Sequence, residues 1–192
     1  MVGMTDQLGL AEGRPFTVAD LETMPDDGRR YELLDGMLLV SPGPTWSHQE
    51  MVASVYVELR RACPPEFRVL LAPFGVRTSP QNEVQPDVLV ARFTELAEDY
   101  LPTAPVLAVE VLSPSTELHD RNTKMAHYAR IGVPSYWILD PREPGAIEVH
   151  RLAPDGTYDL IASACGEEVV GVSEPFLLDL TPARLLDGRR PR

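Results

Sequence analysis

Residues 45–62, TWSHQEMVASVYVELRRA, place Met51, Val55 and Leu59 at i, i+4 and i+8, flanked by Val52 and Tyr56. That spacing predicts an α-helix with one apolar face, ended by Pro64-Pro65. Ahead of it, TVADLETM (17–24) predicts a short helix with Thr17 as N-cap. RRYELLDGMLLVS (29–41) predicts a hairpin turning at Asp35-Gly36. Three apolar runs then predict strands: FRVLLAPFGVRT (67–78), PDVLVAR (86–92) and PVLAVEVL (105–112), with ELAEDYLPTA a loop or short helical turn between the last two. SPST opens a second helix running to about Ile131, with Gly132 as its C-terminal glycine and Pro134 as a stop. SYWILD (135–140) is a strand; IEVHRL, TYDLIA, EEVVGV and FLLDL are short antiparallel strands, and TPARLL is a closing helical turn. The order helix, three strands, helix, strand predicts an α/β (or α+β) fold with helices on both faces of a mixed sheet. Its last strand–helix–strand unit is a right-handed parallel crossover.

One position breaks the apolar pattern. In VLAVEVL, Val106, Ala108, Glu110 and Leu112 share one face of the strand and Leu107, Val109 and Val111 the other. Apolar residues on both faces indicate a central strand covered on both sides. An ionised carboxylate there is costly unless a cation or hydrogen bonds compensate it. Asp87 opens the preceding run, VLV, and if the two strands are neighbours the two carboxylates converge. Paired carboxylates are hard oxygen ligands suited to Mg²⁺ or Mn²⁺, and such a metal polarises a phosphoryl oxygen and acidifies bound water. Lys124, the only lysine beside 16 arginines, lies on the next helix and is placed to orient or deprotonate an attacking water, or to stabilise the transition state. Glu32, in YELLDG, is a further carboxylate candidate.

Each of these has a structural alternative. Glu110 and Lys124 would form a simple buried ion pair, and Asp120 and Lys124 a helical i, i+4 pair. Asp87 and Asp140 would serve as strand-end turn residues, and Glu32 would pair across the hairpin with an arginine. His48 reads as a helix-start or surface residue, Tyr136-Trp137 as core, and Arg29-Arg30, Arg60-Arg61 and Arg189-Arg190 as solvated surface.

Composition narrows the class. A chain of 192 residues with 44% apolar content suits one domain, expected over 16–188 after a loose lead-in at 1–15. No apolar run is long enough for a membrane span. The N-terminus has neither the basic start nor the apolar core of a signal peptide. Cys63 and Cys165 form no motif, which fits a reducing, cytoplasmic setting. The net charge of −12 opposes strong non-specific nucleic-acid binding. No phosphate-binding glycine loop, dinucleotide fingerprint or serine-hydrolase elbow is present.

Pro86-Asp87, then Glu110 after 22 intervening residues, on this element order, resembles the PD-(D/E)XK nuclease superfamily. More closely, YELLDG, SPGPTWSHQ, QPDVLV and VEVLSPSTELHDRNTKMAHYARIGVPSYWILDP, within 31–141, resemble the Uma2 family of restriction-endonuclease-like proteins. The resemblance implies a Mg²⁺- or Mn²⁺-dependent phosphodiester hydrolase acting on DNA. Asp87, Glu110 and the main-chain carbonyl of Val111 would hold the metal, and Glu32 matches an acid early in the chain. The superfamily lysine two positions after the glutamate is replaced by Leu112, and Lys124 on the following helix is the matching position. A homodimer would bring two such sites to one duplex. The alternative is a catalytically inactive binding module of the same fold with a structural Glu110–Lys124 pair.

Overall fold

The computed structural model describes residues 13–186. Most of the expected lead-in, and the last two residues of the expected domain, lie outside them. The chain opens with α1 (Val18–Leu21), the hairpin β1 (Arg30–Leu34) and β2 (Met37–Ser41), and α2 (Trp46–Ala62). The hairpin turns where expected, with Asp35 at φ 51° and Gly36 at φ 74°, the left-handed pair of a type I′ turn. The long α2 is capped by Thr45, whose hydroxyl accepts from the His48 amide, and it buries Met51, Val55 and Leu59.

Next come β3 (Phe67–Leu71), β4 (Gly75–Ser79), β5 (Asn82–Val84), β6 (Val88–Arg92), β7 (Tyr100–Leu101) and β8 (Leu107–Val111). The single strand expected over 67–78 is two strands in two sheets. Pro73, without an N–H, interrupts the ladder, and β4 leaves to pair with β5 and β7. The expected second helix covers 117–131: His119–Lys124 is wound as a π-helix and continues into α3 (Met125–Ile131). Gly132, at φ 85°, closes α3 as expected. The chain ends in β9 (Ser135–Asp140), β10 (Ala146–Leu152), β11 (Tyr158–Cys165), β12 (Val170–Val172), β13 (Leu178–Leu180) and α4 (Pro182–Leu185).

The central sheet runs β11-β10-β9-β8-β6-β3. Only the β8–β9 pair in it is parallel, as the crossover reading requires. One face of β8, Leu107, Val109 and Val111, packs with α2. The other, Ala108 and Leu112, packs with Tyr128 of α3 and with Leu34, Val76 and Val84 of the second sheet, β2-β1-β5-β4-β7. The face expected to be covered by a helix alone is therefore covered by a helix and a sheet. Glu110 points into this second layer, between Ala108 and Leu112, at the place where β1, β8 and the π-helix meet.

His127 of α3 gives this layer a pH dependence. Its ring is buried, and burial followed by the charge of Arg130 pushes its pKa down to about 4. Arg130 Nη2 lies 2.9 Å from His127 Nδ1; a guanidinium only donates, so the ring is neutral and accepts there. A histidine with a depressed folded pKa contributes stability that is complete above pH 6.5 and is lost as pH falls towards 4. We predict that stability to urea falls by about 2 kcal/mol between pH 7.5 and 5.0 on this account, and that His127→Gln removes that part of the loss. An equal loss in wild type and variant would show that His127 is not its source.

Candidate active site

Four elements deliver the side chains. Glu32 comes from β1, Asp87 from the residue before β6, Glu110 from β8, and Asp120 and Lys124 from the π-helix. All five are buried. Lys124 Nζ is the hub: 3.0 Å from Glu110 Oε1, 3.1 Å from Glu32 Oε2 and 3.7 Å from Asp120 Oδ1. Tyr128, one turn further along the helix, donates to the same Glu110 oxygen at 2.8 Å. The Gln85 amide donates to Glu32 Oε1 at 2.8 Å. Asp87 is held apart from the lysine by its own donors. Arg30 reaches Oδ1 at 2.8 Å, and the Val111 amide and His48 Nε2 reach Oδ2 at 2.9 and 3.1 Å.

These surroundings divide the carboxylates into two kinds. Burial alone would raise Asp87, but the hydrogen bond from His48 and the charge of Arg30 outweigh it and hold the group below the usual carboxylate range. Burial raises Glu110 well above that range, and Lys124 only partly opposes it while Asp120 and Asp87 add to it. Burial raises Asp120 as well; neither of its oxygens meets a donor at hydrogen-bonding geometry. Burial disfavours the charged form of Lys124, but Glu110, Glu32 and the other acids outweigh it and raise the lysine above its ordinary value. Lys124 therefore stays an ammonium, a donor and counter-charge. The option of deprotonating a water, open from sequence, does not fit this environment.

Four buried carboxylates face two cations, Lys124 and Arg30, a formal excess of two negative charges. Buried anions in excess call for protons or a cation. The donors are hard oxygens, which suits Mg²⁺ or Mn²⁺. Among the described residues no group of three or more His, Cys, Asp or Glu side chains is arranged to hold a metal ion. Mg²⁺ does not need such a group, since it keeps several waters and takes one or two carboxylates beside substrate phosphates. The group opens into a cleft of about 170 Å³, bordered by the loops at 41–45 and 113–116.

The structure brings together Asp87, Glu110, Lys124 and Glu32. Glu32 finds a lysine rather than the arginine of the cross-strand alternative. Val111 takes part through its amide. Asp140 caps a turn by accepting from the Arg142 amide, and Tyr136 and Trp137 are core, as their structural readings hold. Three corrections concern residues read as bland. His48 is inside the site, its Nε2 donating to Asp87 while its buried Nδ1 has no partner. Arg30 is a ligand of Asp87, unlike its neighbour Arg29, which is at the surface with Asp27. Asp120 is more than a surface helix pair, being fully buried with Lys124. Tyr128, at i+4 from Lys124 on the same helix, is an addition to the residues expected from sequence.

Comparison with known proteins bears on the fold and the family. A solved structure described as "a putative nuclease belonging to DUF820" from Anabaena variabilis ATCC 29413 superimposes with a TM-score of 0.69 at 19% identity, covering 91% of this chain and 98% of that one; the likeness establishes the fold. No curated protein matches the sequence. The family model described as "Uma2: Putative restriction endonuclease" matches residues 18–184, and the chain belongs to that family.

Proposed function

We propose that the protein is a metal-dependent nuclease hydrolysing phosphodiester bonds of DNA. The observation that carries this reading is the convergence of Glu110, Glu32 and Asp120 on a single lysine beside Asp87, with negative charge left over for a cation. The family match and the nuclease description of the structural neighbour support it. Asp87 and Glu110 would hold Mg²⁺ or Mn²⁺, with the Val111 carbonyl as an additional ligand. The metal would supply Lewis-acid polarisation of the phosphoryl oxygen and acidify a water.

The chain's own residues do the rest. Arg30, His48 and the Val111 amide fix both oxygens of Asp87 and keep it ionised, the orienting role that partners of a ligand perform. Tyr128 and Lys124 fix one oxygen of Glu110. Lys124, held protonated between Glu32, Glu110 and Asp120, stabilises charge developing on the phosphate oxygens. Arginine would serve poorly there, because its planar fork directs its donors differently from a compact ammonium.

A non-catalytic module is the second reading, favoured by the way Lys124 ties β1 to β8. Glu110→Gln separates the two. Both donors to Glu110 reach Oε1, and a glutamine carbonyl offers them the same acceptor, so the variant keeps the fold. Calorimetric titration with Mg²⁺ and Mn²⁺ at low salt is expected to give binding in wild type and none in Glu110→Gln, with metal raising the melting temperature of wild type only. Wild type that neither binds millimolar metal nor cleaves DNA would sink the nuclease reading in favour of the module.

A further inference from the structure

A second cavity adjoins the cleft. It measures about 300 Å³ and lies between α2 and the end of β3. Arg30, Pro44, His48 and Asp87 line both spaces, so the cleft and the cavity share one wall. The rest of the lining comes from two short stretches. On α2, Val52 stands one turn after His48, with Gln49 and Ala53 beside it. Opposite are Leu71, the last residue of β3, and Ala72. The Ala72 amide donates to the Asp87 carbonyl at 3.2 Å, which ties the far wall to the residue proposed to hold the metal.

The lining has a definite chemistry. Val52, Ala53, Leu71 and Ala72 give apolar surface, and Leu71 is 38% exposed. Gln49 is exposed, and its side-chain amide has no hydrogen-bond partner among the described residues. The buried Nδ1 of His48, in the shared wall, has none either; a polar atom in that position calls for a partner, direct or through a water. An occupant of this space needs flat apolar faces, a polar edge for an amide, and continuity with a phosphate at the acids. A nucleoside has all three. The volume, at the low end of the roughly 300–1,000 Å³ of small-molecule sites, suits one of them. We propose that the cavity is a subsite for one nucleoside of the substrate, the one joined to the scissile phosphate, with its base between Val52 and Leu71 and its edge met by Gln49. The amide carries a donor and an acceptor, and adenine presents the matching pair on one edge. This rests on the nuclease reading and adds a substrate contact to it.

Competitive inhibition of DNA cleavage tests it. The full chain is assayed in Mg²⁺ with deoxyadenosine 5′-monophosphate, its 3′ isomer, and methyl phosphate, which carries the phosphate and no nucleoside. One of the two isomers is expected to inhibit at least about tenfold more tightly than methyl phosphate, and which one it is gives the direction of the strand through the site. Gln49→Ala and Leu71→Ala, both at exposed positions, are each expected to weaken that isomer about three- to tenfold and to raise KM for DNA more than they lower kcat. Nucleotides no tighter than methyl phosphate, or undiminished in both variants, overturn the subsite and leave the nuclease reading standing. A wild type that cleaves no DNA in Mg²⁺ or Mn²⁺ loses both.

Discussion

Lys124→Met is expected to lower stability by about 3–5 kcal/mol at neutral pH and cleavage by about 10²–10³-fold. The length of the side chain is conserved, so the loss is one of charge. Glu110, Glu32 and Asp120 are left facing one another without their cation, in a place that water barely reaches. Burial already pushes Glu110 and Asp120 up, and without the lysine these two take up protons in the folded state more readily still than in the unfolded chain. A folded pKa above the unfolded one gives stability that is present below the unfolded value and disappears as pH rises through the folded one. The deficit of the variant is therefore largest near pH 8 and shrinks towards pH 5. Urea denaturation at several pH values measures this directly. Adding Glu32→Gln to Lys124→Met is expected to return part of the stability and none of the turnover. Wild-type stability in the single variant at pH 8 would mean that Lys124 is not the counter-ion of this cluster. Recovery of cleavage in the double variant would mean that its contribution to turnover is only structural.

Asp87→Asn is expected to be far from conservative: about 2–4 kcal/mol of stability lost and cleavage abolished. Donors approach both carboxylate oxygens, Arg30 at Oδ1 and the Val111 amide with His48 at Oδ2. Whichever way an asparagine is turned, its NH₂ meets a donor and one buried group loses its acceptor. Arg30 also loses the charge that compensates its burial. The contrast with Glu110→Gln is the useful part. Both variants remove a carboxylate proposed to hold the metal, yet only Asp87→Asn should lower the denaturation midpoint. If both unfold alike, the assignment of donors around these two carboxylates is wrong.

Much of this site was readable along the chain, because Asp87 and Glu110 interrupt apolar strands where a charge needs a reason. Alternation along β8 gave the facing of Glu110 correctly. The spacing of the later helix set Lys124 one turn from Asp120, although it could not distinguish a surface pair from a buried one, a matter decided by the second sheet. Two missed residues carried usable signals. His48 extends the stripe of Met51, Val55 and Leu59 by one turn towards the N-terminus, which marks it as inward-facing. Arg30 stands two positions from Glu32 on the same strand and so shares its face. The second sheet itself was not legible. Its strands are short, β7 has two residues, and β4 was joined to β3 because the apolar run continues across Pro73. What divides them is pairing with partners distant in the chain, which no local pattern records.

The differing partners of Lys124 and Glu110 also bear on how such a protein would decay over evolutionary time. A change at Lys124 that ends catalysis also loosens the joint between β1 and β8, and the cell's clearance of unstable chains removes it. On the proposed mechanism, a change of Glu110 to glutamine would end catalysis and leave the joint closed. Descendants that have given up cleavage while keeping the fold would therefore be expected to retain the lysine and to have lost the glutamate, the residue whose absence folding does not notice.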